Sequence, residues 1–297
     1  MSARRTESPG PSGFAIIDKE AGWTSHDVVA RARGLLGTRK VGHSGTLDPP
    51  ATGVLVLGVG RGTRLLRFIT ELPKTYVARF RLGIETSTLD AEGEVTAVHD
   101  VDPVTVDEVL EIAGRFTGTI QQIPPMVSAV KVGGKRLYEL AREGKEIERA
   151  PRTVKIFELA IDATDEPADF VMTVNCSSGT YIRTLAADIG SALGGGAHVR
   201  NLRRTAVGSF GQDKASPLES ISLISLAEGL VGRPSCTVDG EVLSAVRYGK
   251  VLAGDVLGVE GSGPWVVLNP DGQLLAVYEP HKGDTVKPAV VVSPAAT

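Results

Sequence analysis

At 297 residues, 42% of them hydrophobic, the chain is long enough for one to three domains with ordinary cores, and no apolar run approaches the ~20 residues of a membrane span. Cys176 and Cys236 stand far apart without metal-ligand spacing, which argues against a metal centre and fits a reducing cytoplasm. The net charge of −3 is unevenly spread: residues 206–297 carry six basic and ten acidic groups, whereas 131–155 carry eight basic against four acidic, so a local basic surface can meet phosphates.

Met1–Ser12 is Arg, Ser, Pro and Gly without the apolar core of a secretory signal, and reads as a disordered arm. Gly13–Asp18 reads as a short strand. The turn Lys19–Ser25 follows, and Thr24 or Ser25 can cap a helix running to about Leu36. The stretch from Gly42 to Gly58, G-H-S-G-T-L-D-P-P-A-T-G-V-L-V-L-G, begins as a loop of small and polar residues and ends as a strand. Pro49 and Pro50 stiffen the turn after Asp48, and Pro49 biases Asp48 towards extended angles. Val54–Leu57 is a continuous apolar run, the pattern of a buried strand. Asp48 therefore sits on a stiff loop anchored by a core strand, a common way to build an active site. On the residues alone, a tight turn in which Asp48 caps its own backbone is an equal reading.

The stretch resembles the catalytic motif of the bacterial tRNA pseudouridine-55 synthases, the TruB family, with Ser44 where Thr is commoner and Pro50 where Leu is usual. The resemblance implies that Asp48 is the catalytic aspartate and that His43 lies on the substrate side. It also implies a fold of the α/β (α+β) class, with a mixed, mainly antiparallel central sheet flanked by helices. That catalytic domain would span 13–235, with an RNA-gripping insertion at about 124–152, and a small PUA-type, β-barrel-like domain would occupy 236–297. Lys19–Ser25 resembles the family's K-P-x-G-x-T-S motif with Glu20 in place of proline, which implies that Lys19 meets RNA.

Gly58–Arg64 is glycine-rich, but it lacks the lysine of a P-loop and has Thr63 at the third glycine position of a dinucleotide fingerprint. It reads as a turn into a short helix, Thr63–Phe68, and no nucleotide cofactor is expected. Lys74–Gly83 alternates as a strand with Tyr76, Ala78, Phe80 and Leu82 on one face. By the resemblance, Tyr76 supplies the ring that stacks on the target uracil; by its residue type alone it would be a core tyrosine. Thr86–Gly93 matches the family's second acidic loop, where Asp90 helps to organise the site. Val104–Phe116 has helical spacing.

The basic region opens after Gly118. Val132–Lys135 predicts a hairpin turn and Leu137–Glu143 a short helix. The P-P-x-x-S-A-x-K and G-x-R-L-Y-E-L-A-R-x-G patterns match the family, which implies that Lys131 and Arg136 grip RNA. Thr153–Ile161 and Phe170–Cys176 read as strands, and the stretch Ser177–Gly190 starts a helix. Its S-x-G-T-Y-I-R-x-L pattern implies that Arg183 pairs with Asp48, lowering the carboxyl pKa, and that Tyr181 lies beneath the flipped base. Ala197–Thr205 adds basic residues, among which Leu202 resembles the leucine that walls the uracil pocket. The tail has short apolar strands, Pro264–Leu268 and Gln273–Tyr278, about an Asn269–Gly272 turn.

The implied reaction turns uridine into pseudouridine within the T-arm stem-loop of tRNA, by a monomeric cytoplasmic enzyme that needs no metal or other cofactor and no membrane. Two other readings compete. Gly42–Thr46 nearly spells the G-x-S-x-G of a serine hydrolase, but Thr46 holds the last glycine position and the apolar strand follows the motif. A non-catalytic RNA-binding or RNA-folding module would explain the basic insertion and leave Asp48, Tyr76, Tyr181 and Arg183 without a role.

Overall fold

In the computed structural model, which describes residues 10–128, 131–132, 135–136 and 147–292, alternating side chains build one large mixed sheet. Its β4 (Lys74–Leu82) buries Ala78, Phe80 and Leu82 and turns Arg79 and Arg81 to the other face, as the predicted alternation requires. Among the described residues the strands run in the order β1 (Gly13–Lys19), β3 (Thr52–Val59), β12 (Ala197–Val207), β4, β11 (Asp169–Cys176), β10 (Arg152–Ala163) and β7 (Gly118–Gln122). β2 (Val41–His43) pairs with β3, and β13 (Phe210–Gly211) with β12. The β3–β12 pair is parallel; the other pairs in this sheet are antiparallel.

The strand that joins the two halves, β12, was read from sequence only as a basic stretch. Register shifts between Val199 and Asn201 and between Arg204 and Ala206 break the period of two that would have marked it.

Helix ends follow the capping residues. Thr24 and Asp27 form a reciprocal capping box on α1 (Ser25–Leu35). Helix α2 (Leu66–Thr70) is preceded by a tighter 3-10 turn over Gly60–Leu65, so helical structure begins three residues before the predicted Thr63. β5 (Ile84–Thr86) and β6 (Val95–Val98) flank the acidic loop. Helix α3 (Val106–Gly114) carries a second capping box, Thr105 with Glu108. Helix α4 (Ile182–Ala192) buries Ile182, Leu185, Ala186 and Ile189 in one cluster with Ala78, Phe80 and Leu82 of β4 and Val199 of β12.

The predicted hairpin in the basic insertion is present as β8 (Lys131–Val132) paired with β9 (Lys135–Arg136). The expected helix Leu137–Glu143 and residues 1–9 of the expected arm lie outside the described residues. Ser12, at the end of that arm, is placed: its hydroxyl accepts from the Arg61 N–H at 3.2 Å.

The tail forms a second sheet, ordered β14 (Ser235–Thr237), β16 (Trp265–Leu268), β17 (Leu274–Pro280), β18 (Thr285–Val291) and β15 (Leu252–Ala253), curled into a half-barrel. Val266, Leu274, Val277 and Val290 pack into one core with Phe14, Val54, Val56 and Phe68, which fastens this sheet to the edge of the first. Among the described residues no helix is long and apolar enough to cross a membrane.

Candidate active site

Asp48 is positioned from both sides of its loop. Downstream, Gly53 has φ +100°, and a Cβ there would lie 2.2 Å from the Arg204 carbonyl oxygen; glycine lets β3 run directly against β12. The Ala51 N–H donates to Asp48 O at 3.1 Å and closes the turn over the two prolines. Upstream, the Pro49 carbonyl accepts from the Gly22 N–H at 2.9 Å and from Lys19 Nζ at 3.1 Å.

Lys19 departs from its expected role. It is 1% exposed, and its ammonium also donates to Glu20 O at 2.9 Å and Trp23 O at 2.7 Å, so its three donors tie the first turn to the Asp48 loop instead of reaching RNA. Burial pushes this ammonium down to about 8, against the pull of the nearby Asp48 charge. These bonds use main-chain oxygens, so the turn is held although Glu20 replaces the proline of the motif.

The expected pair forms. Arg183 Nη2 lies 2.9 Å from Asp48 Oδ2, and Nη1 lies 3.2 Å from Asp90 Oδ2. The same guanidinium donates to Thr88 O at 2.6 Å and Val127 O at 2.8 Å. Asp90 is held in turn by the Thr88 hydroxyl at 2.5 Å and the Glu92 N–H at 3.1 Å, both donating to Oδ1.

The expected net fall in the Asp48 pKa does not follow. Burial raises it by more than Arg183 lowers it, and Asp90 adds a further upward push. The side chain nevertheless keeps 35% of its surface accessible. That surface opens into a cavity, so the carboxylate is both walled by protein and reachable.

This cavity, of about 260 Å³, is lined by the Gly45–Asp48 loop, Lys74, Tyr76, Ser128, residues 178–183, Leu202 and Arg204. It brings together Asp48, Tyr76, Tyr181, Arg183 and Leu202 from four separated parts of the chain. Tyr76 packs against two core clusters, one built on β4 and α4 and the other on β1, β3 and α1, and burial raises its phenol pKa. Burial likewise raises that of Tyr181. Tyr181 caps α4 without a capping side chain of its own; instead its N–H donates to Gln122 Oε1 at 2.9 Å and its carbonyl accepts from Gln122 Nε2 at 3.2 Å.

Other expected residues stand elsewhere. His43 is on β2, its ring edge-on to His26 at 5.6 Å and its Nδ1 accepting from the Gly45 N–H, outside the residues that line the cavity. Asp90 lines a smaller cavity on the other side of the Asp48–Arg183 pair. The side chains of Lys131 and Arg136 lie outside the described part of the hairpin. Ser44 is 1% exposed, its N–H donating to Val56 O, and it does not line the cavity, which removes the serine hydrolase reading. Among the described residues no group of three or more His, Cys, Asp or Glu side chains is arranged to hold a metal ion.

The N-terminal domain of the TruB family of pseudouridylate synthases matches residues 33–182, and the C-terminal domain of tRNA pseudouridylate synthase B matches residues 183–229. The chain belongs to the TruB family. The tRNA pseudouridine synthase B of Rhodococcus jostii (strain RHA1) is 45% identical to it over 307 residues, covering 99% of either chain. That of Thermobifida fusca (strain YX) is 45% identical over 289 residues, covering 94% of this chain and 98% of that one. Among solved structures, a Cbf5-Nop10-Gar1 complex aligns over 95% of this chain and 85% of that one, with a TM-score of 0.73 at 27% identity. An H/ACA RNP bound to a substrate RNA containing 2'-deoxyuridine shares the fold, with a TM-score of 0.71 at 24% identity over 95% of this chain and 85% of that one.

Three residues of this TruB site went unread in the sequence. Arg204, 1% exposed, is the largest fully buried side chain; its Nε donates to Val54 O at 2.7 Å and its Nη2 to Gly45 O at 3.2 Å. Lys74 is 4% exposed, and Gln122 1%. A signal existed for Lys74, which shares the parity of Tyr76, Ala78 and Phe80 and so must lie on the buried face of β4. None existed for Gln122, whose partner is 59 residues away.

Proposed function

We propose that this chain isomerises uridine 55 in the T-arm loop of tRNA to pseudouridine, as a cytoplasmic monomer and with Asp48 as the reacting carboxylate. The relatives named tRNA pseudouridine synthase B, 45% identical along nearly the whole chain, support pseudouridine formation in tRNA. The observation that carries the reading of the site is the Arg183 guanidinium, which holds Asp48 at 2.9 Å and Asp90 at 3.2 Å beside a cavity walled by Tyr76, Leu202 and Tyr181.

Those parts suit the chemistry. The target base must leave the stack, at about a few kcal/mol, and enter the cavity. Stacking on the Tyr76 ring contributes about 1–3 kcal/mol towards that cost. Cleavage of N1–C1′ puts positive character on the ribose, which a carboxylate beside C1′ stabilises or captures, as in glycoside hydrolysis. Arg183 fixes the carboxylate orientation in advance, so little reorganisation is needed as charge develops. The uracil then turns over between Tyr76 and Leu202, C5 joins C1′, and the C5 hydrogen leaves. The walls keep water from capturing the detached ribose.

The test is a tRNA transcript tritiated at uracil C5. Mixed with this protein, without added metal or nucleotide, it releases tritium to water, and the product carries pseudouridine at position 55. Asp48→Asn keeps the shape and the Arg183 contact but cannot act as a carboxylate, so release falls to background while tRNA binding persists. Normal release from Asp48→Asn would sink the mechanism, and no release from the wild type would sink the assignment.

A further inference from the structure

The cavity wall holds two buried cations that the Asp48–Arg183–Asp90 arrangement does not use. Arg204 donates to the carbonyls of Val54, Gly45 and Thr46 and also hydrogen-bonds the Tyr76 hydroxyl. Lys74 Nζ donates to Leu72 O at 2.7 Å and to Thr70 O. Among the described residues, neither has a carboxylate within ion-pair distance.

Burying a charge without a counter-charge is costly, and carbonyl dipoles offset that cost only in part. Lys74 records the strain: burial, and then the neighbouring Arg204 charge, push its ammonium down to about 8. Lys74, Arg183 and Arg204 line the cavity, against the single carboxylate of Asp48. Three cations face one carboxylate, so the emptied cavity is electropositive and suits an anion.

We infer that Arg204 and Lys74 stabilise the uracil as an anion while it is detached from the ribose. This rests on the reaction proposed above. When N1–C1′ breaks, its electron pair leaves with N1, and the negative charge spreads onto O2 and O4. C1′ bonds to a carboxylate oxygen of Asp48. After rotation, C5 displaces that oxygen from C1′ and Asp48 leaves as the free carboxylate. The C5 proton is then lost and N1 gains one, so the product is an isomer of the substrate. The base is charged only between cleavage and re-addition. A fixed cation in a dry cavity acts on that interval far more strongly than it would in water, and more strongly than on the neutral uridine bound before it.

An RNA backbone phosphate is the other anion such a wall could take, and the two are separable. A phosphate contact sets affinity, whereas an anionic base is felt in the chemical step. The experiment measures single-turnover pseudouridine formation and RNA affinity on a T-arm stem-loop, across the pH window around 8, for the wild type, Lys74→Met and Lys74→Arg. The groups facing Lys74 are Arg204 from β12, Cys176 from β11 and Glu71 after α2. Burial pushes the Cys176 thiol up to about 11, so it stays neutral in that window.

The wild-type rate is expected to fall as pH rises through about 8, where Lys74 loses its charge. Lys74→Met is expected to be slower by about 10- to 100-fold with affinity within about twofold. Lys74→Arg, always charged, keeps most of the rate and loses the alkaline decline. A Lys74→Met variant that binds weakly but reacts at the normal rate would assign the cations to a phosphate and overturn the inference. So would a Lys74→Arg enzyme that keeps the alkaline decline. A wild type that forms no pseudouridine would overturn the reaction itself instead.

Discussion

Gly53→Ala is the smallest change that would separate the two strands bearing the site. A Cβ at position 53 would lie 2.2 Å from Arg204 O and 3.0 Å from Arg204 C and N, all main-chain atoms of a central strand. A carbon needs about 3.3 Å from a carbonyl oxygen, so β3 and β12 must part by about 1 Å locally. Forcing that separation costs about 1–3 kcal/mol. An alanine at φ +100° adds backbone strain of about 1–3 kcal/mol, and the loss of glycine freedom in the unfolded chain returns about 0.4–1 kcal/mol. The expected loss is therefore about 1–6 kcal/mol.

Gly118→Ala isolates the strain. Gly118 has φ +90° with nothing within 4 Å of its would-be Cβ, so it should lose only the strain share. Urea unfolding followed at unchanged slope measures both variants. Gly53→Ala should also lower the single-turnover rate about 100-fold, because a displacement of about 1 Å between the Asp48 loop and Leu202 disturbs the reacting geometry. Equal stability of the two variants, or a normal rate in Gly53→Ala, would refute the argument from close approach.

Three further outcomes are expected. Asp169, 1% exposed, accepts from Arg79 Nε at 2.6 Å, Arg200 Nη1 at 2.7 Å and Arg81 Nη1 at 3.3 Å, so it joins β11 to both β4 and β12; Asp169→Asn should lower stability by about 3 kcal/mol in the same urea assay. Burial raises the Asp48 pKa, so the acid limb of the rate profile should lie above the ~3.9 of an ordinary aspartate. In that window the folded state holds a proton that the unfolded state has lost, so stability falls as pH rises through it, and Asp48→Asn should exceed the wild type in stability at neutral pH. Tyr76→Phe keeps the ring and should retain more activity than Tyr76→Ala; equal loss in two folded variants would remove stacking as its role.

Local signals carried much of the fold. Thr24 and Thr105 mark helix starts because each finds its partner three residues on, Asp27 and Glu108. β4 was legible because Ala78, Phe80 and Leu82 alternate with Arg79 and Arg81. β12 was not, because two bulges shift its parity and because the largest side chain it buries is an arginine. The same limit applies at the site. Asp48, Tyr76 and Arg183 could be named from motifs. That Lys19 would be buried, or that Gln122 would cap α4, depends on partners 30 and 59 residues away that no local pattern encodes. The direction of the Asp48 pKa depends on how much protein surrounds the carboxyl, a quantity set only when five chain segments meet.

Arg183 also links the carboxylate to the insertion. Its Nη2 serves two acceptors, Asp48 Oδ2 at 2.9 Å and Val127 O at 2.8 Å, while Nη1 serves Asp90 and Thr88 O. Val127 lies in the segment leading to the basic hairpin β8–β9, four residues before Lys131. A displacement of Val127 removes one of the two acceptors of Nη2 and leaves Asp48 to take the whole of that donor. The guanidinium is 5% exposed and anchored at its other nitrogen, so it cannot follow the moving carbonyl without giving up Asp90. A displacement of Val127 would therefore change the hydrogen bonding of Asp48, and through it how strongly that carboxylate is held in its ionised form.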